Sequence, residues 1–125
     1  MSRQRPVLER YFAALRSQDW ASLAECLADD VRRTGPYRDV VEGKQAYVQF
    51  LSRVIPTLAN YRLEVTRVRK IGDASAIAEL TETLDVDGVS RNFPEALLFD
   101  FVDEGRILRI DIDVKRPPPS QAPRA

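Results

Sequence analysis

From Leu58 to Val114 polar and apolar residues alternate in four long runs, the period-two signature of half-buried strands. Between the second run, AIAELTETLDV, and the third, SRNFPEALLFDFV, lies Asp87-Gly88. That dipeptide suits a two-residue I′ turn, whose centres both need positive φ. The turn predicts a register. Val86 opposes Val89, and Leu84, Glu82, Leu80, Ala78 and Ala76 oppose Arg91, Phe93, Glu95, Leu97 and Phe99. Opposed residues share a side, so one face carries Ala76, Ala78, Leu80, Glu82 and Leu84 beside Phe93, Glu95, Leu97, Phe99 and Phe101. The other carries Ile77, Glu79, Thr81 and Thr83 beside Pro94, Ala96, Leu98 and Asp100. A four-residue loop Asp103–Arg106 then adds Leu108, Ile110, Ile112 and Val114 to the apolar face, and Arg109, Asp111 and Asp113 to the polar one. A three-residue loop would exchange them, a slip disfavoured where one face is buried.

Ahead of the strands the period changes to that of helices. Val7, Leu8, Tyr11, Phe12 and Leu15 mark a first helix from Val7 to Arg16. Asp19 is suited to cap a short second helix from Trp20 to about Ala28. Val31 to Val41 reads as irregular or short-stranded around Gly35-Pro36. A third helix from Gly43 to Ile55 turns Ala46, Tyr47, Phe50, Leu51 and Val54 inward and ends at Pro56. The expected class is α+β and cone-shaped: three N-terminal helices packed on a strongly curved, mainly antiparallel sheet. Residues 7–114 form one domain, between a frayed 1–6 and a disordered, Pro-rich tail at 115–125.

Composition removes several chemistries. The 125 residues balance 19 basic against 19 acidic side chains, which argues against a nucleic-acid partner. Histidine is absent, and with it the commonest general base and transition-metal ligand. Cys26, the single cysteine, falls at the apolar spacing of the second helix and reads as core packing; a Cys/His zinc site is excluded. No apolar run approaches the length of a membrane span, so the expected setting is cytoplasmic and reducing. No phosphate loop or nucleophile elbow is present, and no cofactor or metal is expected.

Two carboxylates remain on the apolar face. Glu82 and Glu95 stand diagonally across one strand pair, at a Cβ separation of roughly 7–8 Å in a regular ladder. Desolvation raises a carboxyl's pKa and a second carboxylate raises it further, so such a pair can supply one acid and one base. A bulge at Pro94 would turn Glu95 outward instead. Tyr11, from the covering helix, can donate to a developing oxyanion. Leu80, Phe93, Leu97, Phe99, Ile110 and Ile112 are the expected pocket walls, with Trp20 and Tyr37 at its mouth.

ERYFAALRSQDWASLAECLADDV, the later GP…EGKQAYVQFL, and LLFDFVDEGRILRI together resemble the nuclear transport factor 2-like superfamily, in particular its SnoaL-like and ketosteroid-isomerase-like branches. The resemblance implies a cone, usually a homodimer, with a pocket between helices and sheet. Tyr11 matches the oxyanion-hole tyrosine of the ketosteroid isomerases. Their general-base aspartate falls here at Gly35 and their protonated aspartate at Leu97, so steroid isomerisation is not implied. The SnoaL-like cyclases use an aspartate and a histidine, which this chain does not have. Against the limonene-epoxide-hydrolase-like members, Glu82 falls near the central aspartate, but Leu80 replaces the arginine.

Two functions compete. One is a binding protein for a mostly apolar small molecule, or a cofactor-free isomerase, cyclase or hydrolase working through Glu82, Glu95 and Tyr11. The other is a dimerisation or accessory module whose pocket is filled. A homodimer is expected through the outer sheet face, around Thr81, Thr83, Ala96, Leu98 and Ile107.

Overall fold

Asp87 and Gly88 both adopt positive φ, 53° and 78°, and the hairpin they close joins β4 (Ser75–Val86) to β5 (Val89–Phe101). Its register is the one the turn predicts, from Val86 opposite Val89 to Ala76 opposite Phe99. The computed structural model describes residues 4–114. The expected tail at 115–125 lies outside them, and the first helix, α1 (Gln4–Ser17), begins within the stretch expected to fray. After α1 come α2 (Trp20–Glu25), β1 (Leu27–Thr34), β2 (Val40–Glu42) and α3 (Lys44–Val54). A 3-10 turn at Ile55–Thr57 then leads into β3 (Ala59–Ile71), β4, β5 and β6 (Ile107–Val114).

Asp19 caps α2 as expected, its carboxylate accepting from the Ser22 backbone N–H at 3.2 Å. The helix is nevertheless shorter than its pattern suggested. Leu27 and Ala28 belong to a strand, β1, which runs on into the segment expected to be irregular or short-stranded and pairs in parallel with β6.

Among the described residues six strands form one sheet in the order β2-β1-β6-β5-β4-β3, with β1–β6 its parallel pairing. The sheet is mixed and is not strongly curled, which corrects the cone expected from the sequence. Alternation specifies which side chains face inward but carries no signal for how far a sheet bends. The enclosure that a curl would have supplied comes from α3, the 3-10 turn and the extra strand β1, whose residues wall the cavity described below.

A second correction concerns the last hairpin. Leu97 pairs with Ile112 and Phe99 with Ile110, as expected, but the register shifts between Asp100 and Phe101, which then meets Ile107. The extra residue reverses the facing of the strand's start: Ile107 is fully buried and Leu108 only half-buried. Ile107 is therefore a core residue and not part of the outer face.

The helices cover the apolar face. Leu8, Tyr11, Phe12 and Leu15 of α1, with Leu23, Leu27, Val31, Tyr47 and Leu51, pack on Ala76, Ala78, Leu80, Leu97, Phe99 and Ile110. Phe99 receives the edges of Tyr11 and Phe12 at centroid distances of 5.8 and 5.9 Å. Such edge-to-face pairs each add about 0.5–1.5 kcal/mol beyond burial. No helix among the described residues is long and apolar enough to cross a membrane.

Candidate functional site

The alternation of β4 and β5 delivers Glu82 and Glu95 to the covered face, where Leu80 pairs with Glu95 and Glu82 with Phe93. No bulge forms at Pro94, so the ladder keeps Glu95 inward, only 5% exposed. Both glutamates border a cavity of about 160 Å³ under α1 and α3, walled by Tyr11, Phe12, Leu51, Leu80, Leu97 and Ile112 among others. An outer space of about 260 Å³ shares Arg33, Leu58, Glu82, Glu95 and Ile112 with it and adds Phe93 and Val114. The carboxyl pair thus stands where the inner chamber meets the outer one.

Burial pushes the Glu95 carboxyl up to about 9, with its hydrogen bond to Glu82 and the charge of that neighbour acting in the same direction and Arg33 opposing them. Glu95 is therefore the protonated partner at neutral pH and Glu82 its acceptor. Glu82 also accepts the hydroxyl of Tyr61, whose own pKa is driven far above the usual phenol range by burial and by the charge of Glu82. Glu95 is the more deeply placed of the two.

Tyr11 and Tyr47 meet hydroxyl to hydroxyl at 2.5 Å, both nearly fully buried. Burial lifts Tyr47 to about 12 and Tyr11 well above its ordinary value. Both remain neutral donors across the physiological range. One proton joins the two oxygens, and the other hydroxyl proton is left to point elsewhere.

Arg33, on β1, reaches the same cavity, 9% exposed. Its Nη1 donates to Asp39 Oδ2 at 3.0 Å and its guanidinium lies 4.6 Å from the Phe50 ring centroid. The turn that presents Asp39 explains the glycine before Pro36. A Cβ on Gly35 would fall 2.3 Å from Asp39 Oδ1, and the Gly35 N–H donates to the Asp39 carbonyl at 2.8 Å. The space that a side chain at position 35 would use is thus taken by the carboxylate that holds Arg33.

Of the expected wall, Leu80, Leu97 and Ile112 line the inner chamber and Phe93 the outer one. Phe99 and Ile110 are fully buried core residues behind it. Trp20 packs half-buried against the core, Tyr37 is 76% exposed, and neither lines either chamber. Arg33, Tyr47 and Tyr61 were not expected as site residues. Tyr47 already stood on the inner stripe of the third helix, and Tyr61 shares the parity of Leu63, which pairs with Glu82. Arg33 carried no such signal, because its strand pairs with residues more than seventy positions away. Among the described residues no group of three or more acidic, cysteine or histidine side chains is placed to hold a metal ion.

Residues 8–110 match the SnoaL-like domain family. No curated protein matches the chain by sequence. Solved structures do. A candidate ketosteroid isomerase from Kribbella flavida DSM 17836 is 25% identical, with 98% of this chain and 90% of that one covered and a TM-score of 0.78. A nuclear transport factor 2-like protein of unknown function from Burkholderia pseudomallei K96243 superposes with a TM-score of 0.81 at 22% identity over 92% of both chains. An LEH-like epoxide hydrolase from Mycobacterium tuberculosis gives 0.75 at 20% identity, covering 90% and 82%. The chain is a member of the SnoaL-like family within the nuclear transport factor 2-like superfamily, and its fold is that family's small-molecule-binding fold.

Proposed function

We propose that this protein binds a mostly apolar small molecule in the chamber beneath α1 and α3 and performs cofactor-free acid–base chemistry on it, of the isomerase, cyclase or hydrolase kind. The observation that carries this reading is the carboxyl pair: one glutamic acid held protonated in an apolar cavity against a second that acts as acceptor. Glu95 supplies a proton, Glu82 removes one, and the Tyr11–Tyr47 pair offers its remaining hydroxyl proton to an oxygen of the substrate. Open space beside the pair favours this function over an accessory module with a filled interior. The same reading includes a homodimer through the outer sheet face, where Leu98 is 36% exposed beside Ala96, Thr81 and Ile77.

The test is turnover with a panel of β,γ-unsaturated ketones and small epoxides. Glu82→Gln and Glu95→Gln keep shape and remove titration. Each should lower turnover roughly a hundredfold or more, the ordinary size of a general acid–base contribution. Unchanged turnover in both variants would sink the assignment.

A further inference from the structure

The strand that carries Tyr61 is irregular at the point where it delivers it. Ala59 pairs with Asp85 and Arg62 with Thr83, so Asn60 and Tyr61 together stand opposite Leu84. The extra residue is a bulge, which shifts the facing of everything after it. Continued from Ala59 without it, β3 would bring Tyr61 opposite Thr83 and turn its side chain to the outer face. With it, the Tyr61 hydroxyl lies against Glu82 and donates to Oε2.

Asn60 shapes the bulge. Its φ is 53°, in the left-handed region that asparagine tolerates better than most residues, and its Nδ2 donates to Asp85 Oδ2 at 2.6 Å. Backbone of this kind persists only where its surroundings hold it, and it gathers at functional sites. Here it is followed at once by a half-buried tyrosine bonded to one member of a carboxyl pair.

The groups that bear on Glu82 come from every element around it: Glu95 from β5, Tyr61 from β3, Arg33 from β1, Tyr47 from α3 and Tyr11 from α1. Arg33 is shared with Asp39, and the Tyr11 and Tyr47 hydroxyls are joined to each other. Tyr61 gives its hydroxyl to Glu82 directly. Burial and the charge of Glu82 hold that hydroxyl in its protonated, donating form throughout the physiological range. A donor aimed at one carboxylate favours the negative charge on that carboxylate over its neighbour.

We infer that the Asn60–Tyr61 bulge is a positioning device for the acid–base pair: it aims the tyrosine hydroxyl at Glu82, and that bond assigns Glu82 the accepting role and leaves the proton on Glu95. The inference rests on the acid–base reading above and adds what divides the two roles between chemically identical side chains.

The experiment follows the side-chain carboxyl carbons of Glu82 and Glu95 by carbon-13 NMR across the pH range in which the protein stays folded. The signals are assigned by their loss in Glu82→Gln and Glu95→Gln. The pair titrates in two steps that belong to both groups together. Tyr61→Phe removes the hydroxyl and keeps the ring. It should raise the lower step of the pair by about one pH unit or more, the size of one hydrogen bond to a charged group. Lost packing alone would lower stability and leave that step in place. Asn60→Gly and Asn60→Val both give up the bond to Asp85, so their difference isolates the backbone. The glycine keeps positive φ and should keep the native titration, whereas the β-branched valine opposes that φ and should shift it as Tyr61→Phe does. If Glu95 is ionised at neutral pH in the unaltered protein, the acid–base reading falls and this inference with it. If Glu95 holds its proton there but Tyr61→Phe leaves the lower step unmoved, the role of Tyr61 is overturned and the pair stands. A shift in Tyr61→Phe that Asn60→Val does not reproduce overturns the part given to the bulge. Should Tyr61→Phe not fold, the comparison of the two Asn60 variants decides the question.

Discussion

Three glutamates on one hairpin meet two environments. Glu79 faces outward and grips Arg67 with both oxygens, at 2.9 and 3.0 Å, on the solvent side of β3 and β4. Glu82 and Glu95 face inward, where the nearest partners are each other and a tyrosine hydroxyl. Parity along one strand separates Glu79 from Glu82. The outer carboxylate meets a cation in water, an arrangement worth little in free energy and of no use in moving protons. The inner pair shares its one nearby cation, Arg33, with Asp39, and that charge opposes the burial of Glu95 without overcoming it. Desolvation then forces the pair to keep a proton. Identical side chains become a surface clasp or a candidate acid and base according to which face receives them.

The largest effect expected from this contrast is on stability against pH. The folded carboxyl of Glu95 holds its proton up to about 9, against an ordinary 4.5 for an exposed glutamic acid. The folded state therefore binds more protons than the unfolded chain between those values, and stability falls as pH rises through that window. The slope for one proton is at most about 1.4 kcal/mol per pH unit. Urea denaturation at several pH values should show the decline, and Glu95→Gln should flatten it. A decline unaltered by the substitution would place its origin elsewhere.

Next in size is turnover. Once a substrate has been found in the panel, Glu82→Gln should lose roughly a hundredfold. Glu79→Gln, one face away, should retain its activity. Equal losses in both would erase the distinction between the faces.

A smaller effect falls on the tyrosine pair. Tyr11→Phe leaves the buried Tyr47 hydroxyl without its partner, which costs about 1–3 kcal/mol. The double change Tyr11→Phe with Tyr47→Phe should cost less than the two single changes added together, as a double-mutant cycle in chemical denaturation would show. Strict additivity would mean that the two hydroxyls are not energetically linked.

The smallest effect belongs to the outer clasp. Arg67→Ala should cost little stability, and less in high salt. A large loss would show that the outer face is covered in solution, in keeping with the proposed dimer. Light scattering on Leu98→Lys then tells whether that cover is a second copy.

What the chain disclosed in advance follows the range of its interactions. The Asp87-Gly88 turn is local, and from it came the β4–β5 register and the common face of Glu82, Glu95 and Leu97. The bulge at Asp100–Phe101 is also local, yet it has no composition signal, and it exchanged Ile107 for Leu108. Arg33 was illegible for a different reason. Its strand is rich in charge, LADDVRRT, and acquires its inward face only by lying beside β6. Phe99 and Ile110 were correctly placed on the apolar side, but a face does not tell which residues border empty space and which lie behind it. Sheet curvature fell outside the pattern altogether.

The turn from Gly35 to Asp39 constrains what this chain can become. Putting any side chain at position 35 drives its Cβ into the Asp39 carboxylate, which would have to swing away and release Arg33. An aspartate before Pro36, as the ketosteroid isomerases carry, would therefore displace the half-exposed Asp39 carboxylate from Arg33. The barrier to such a change is the loss of the Arg33–Asp39 pair, which a smaller residue at position 39 would already have given up. Comparing Gly35→Ala in the native background and in Asp39→Ala measures the height of that barrier, and equal costs would mean that there is none. Positions 35 and 39 are thus coupled through the one space they share, and a residue at either sets what the other can be.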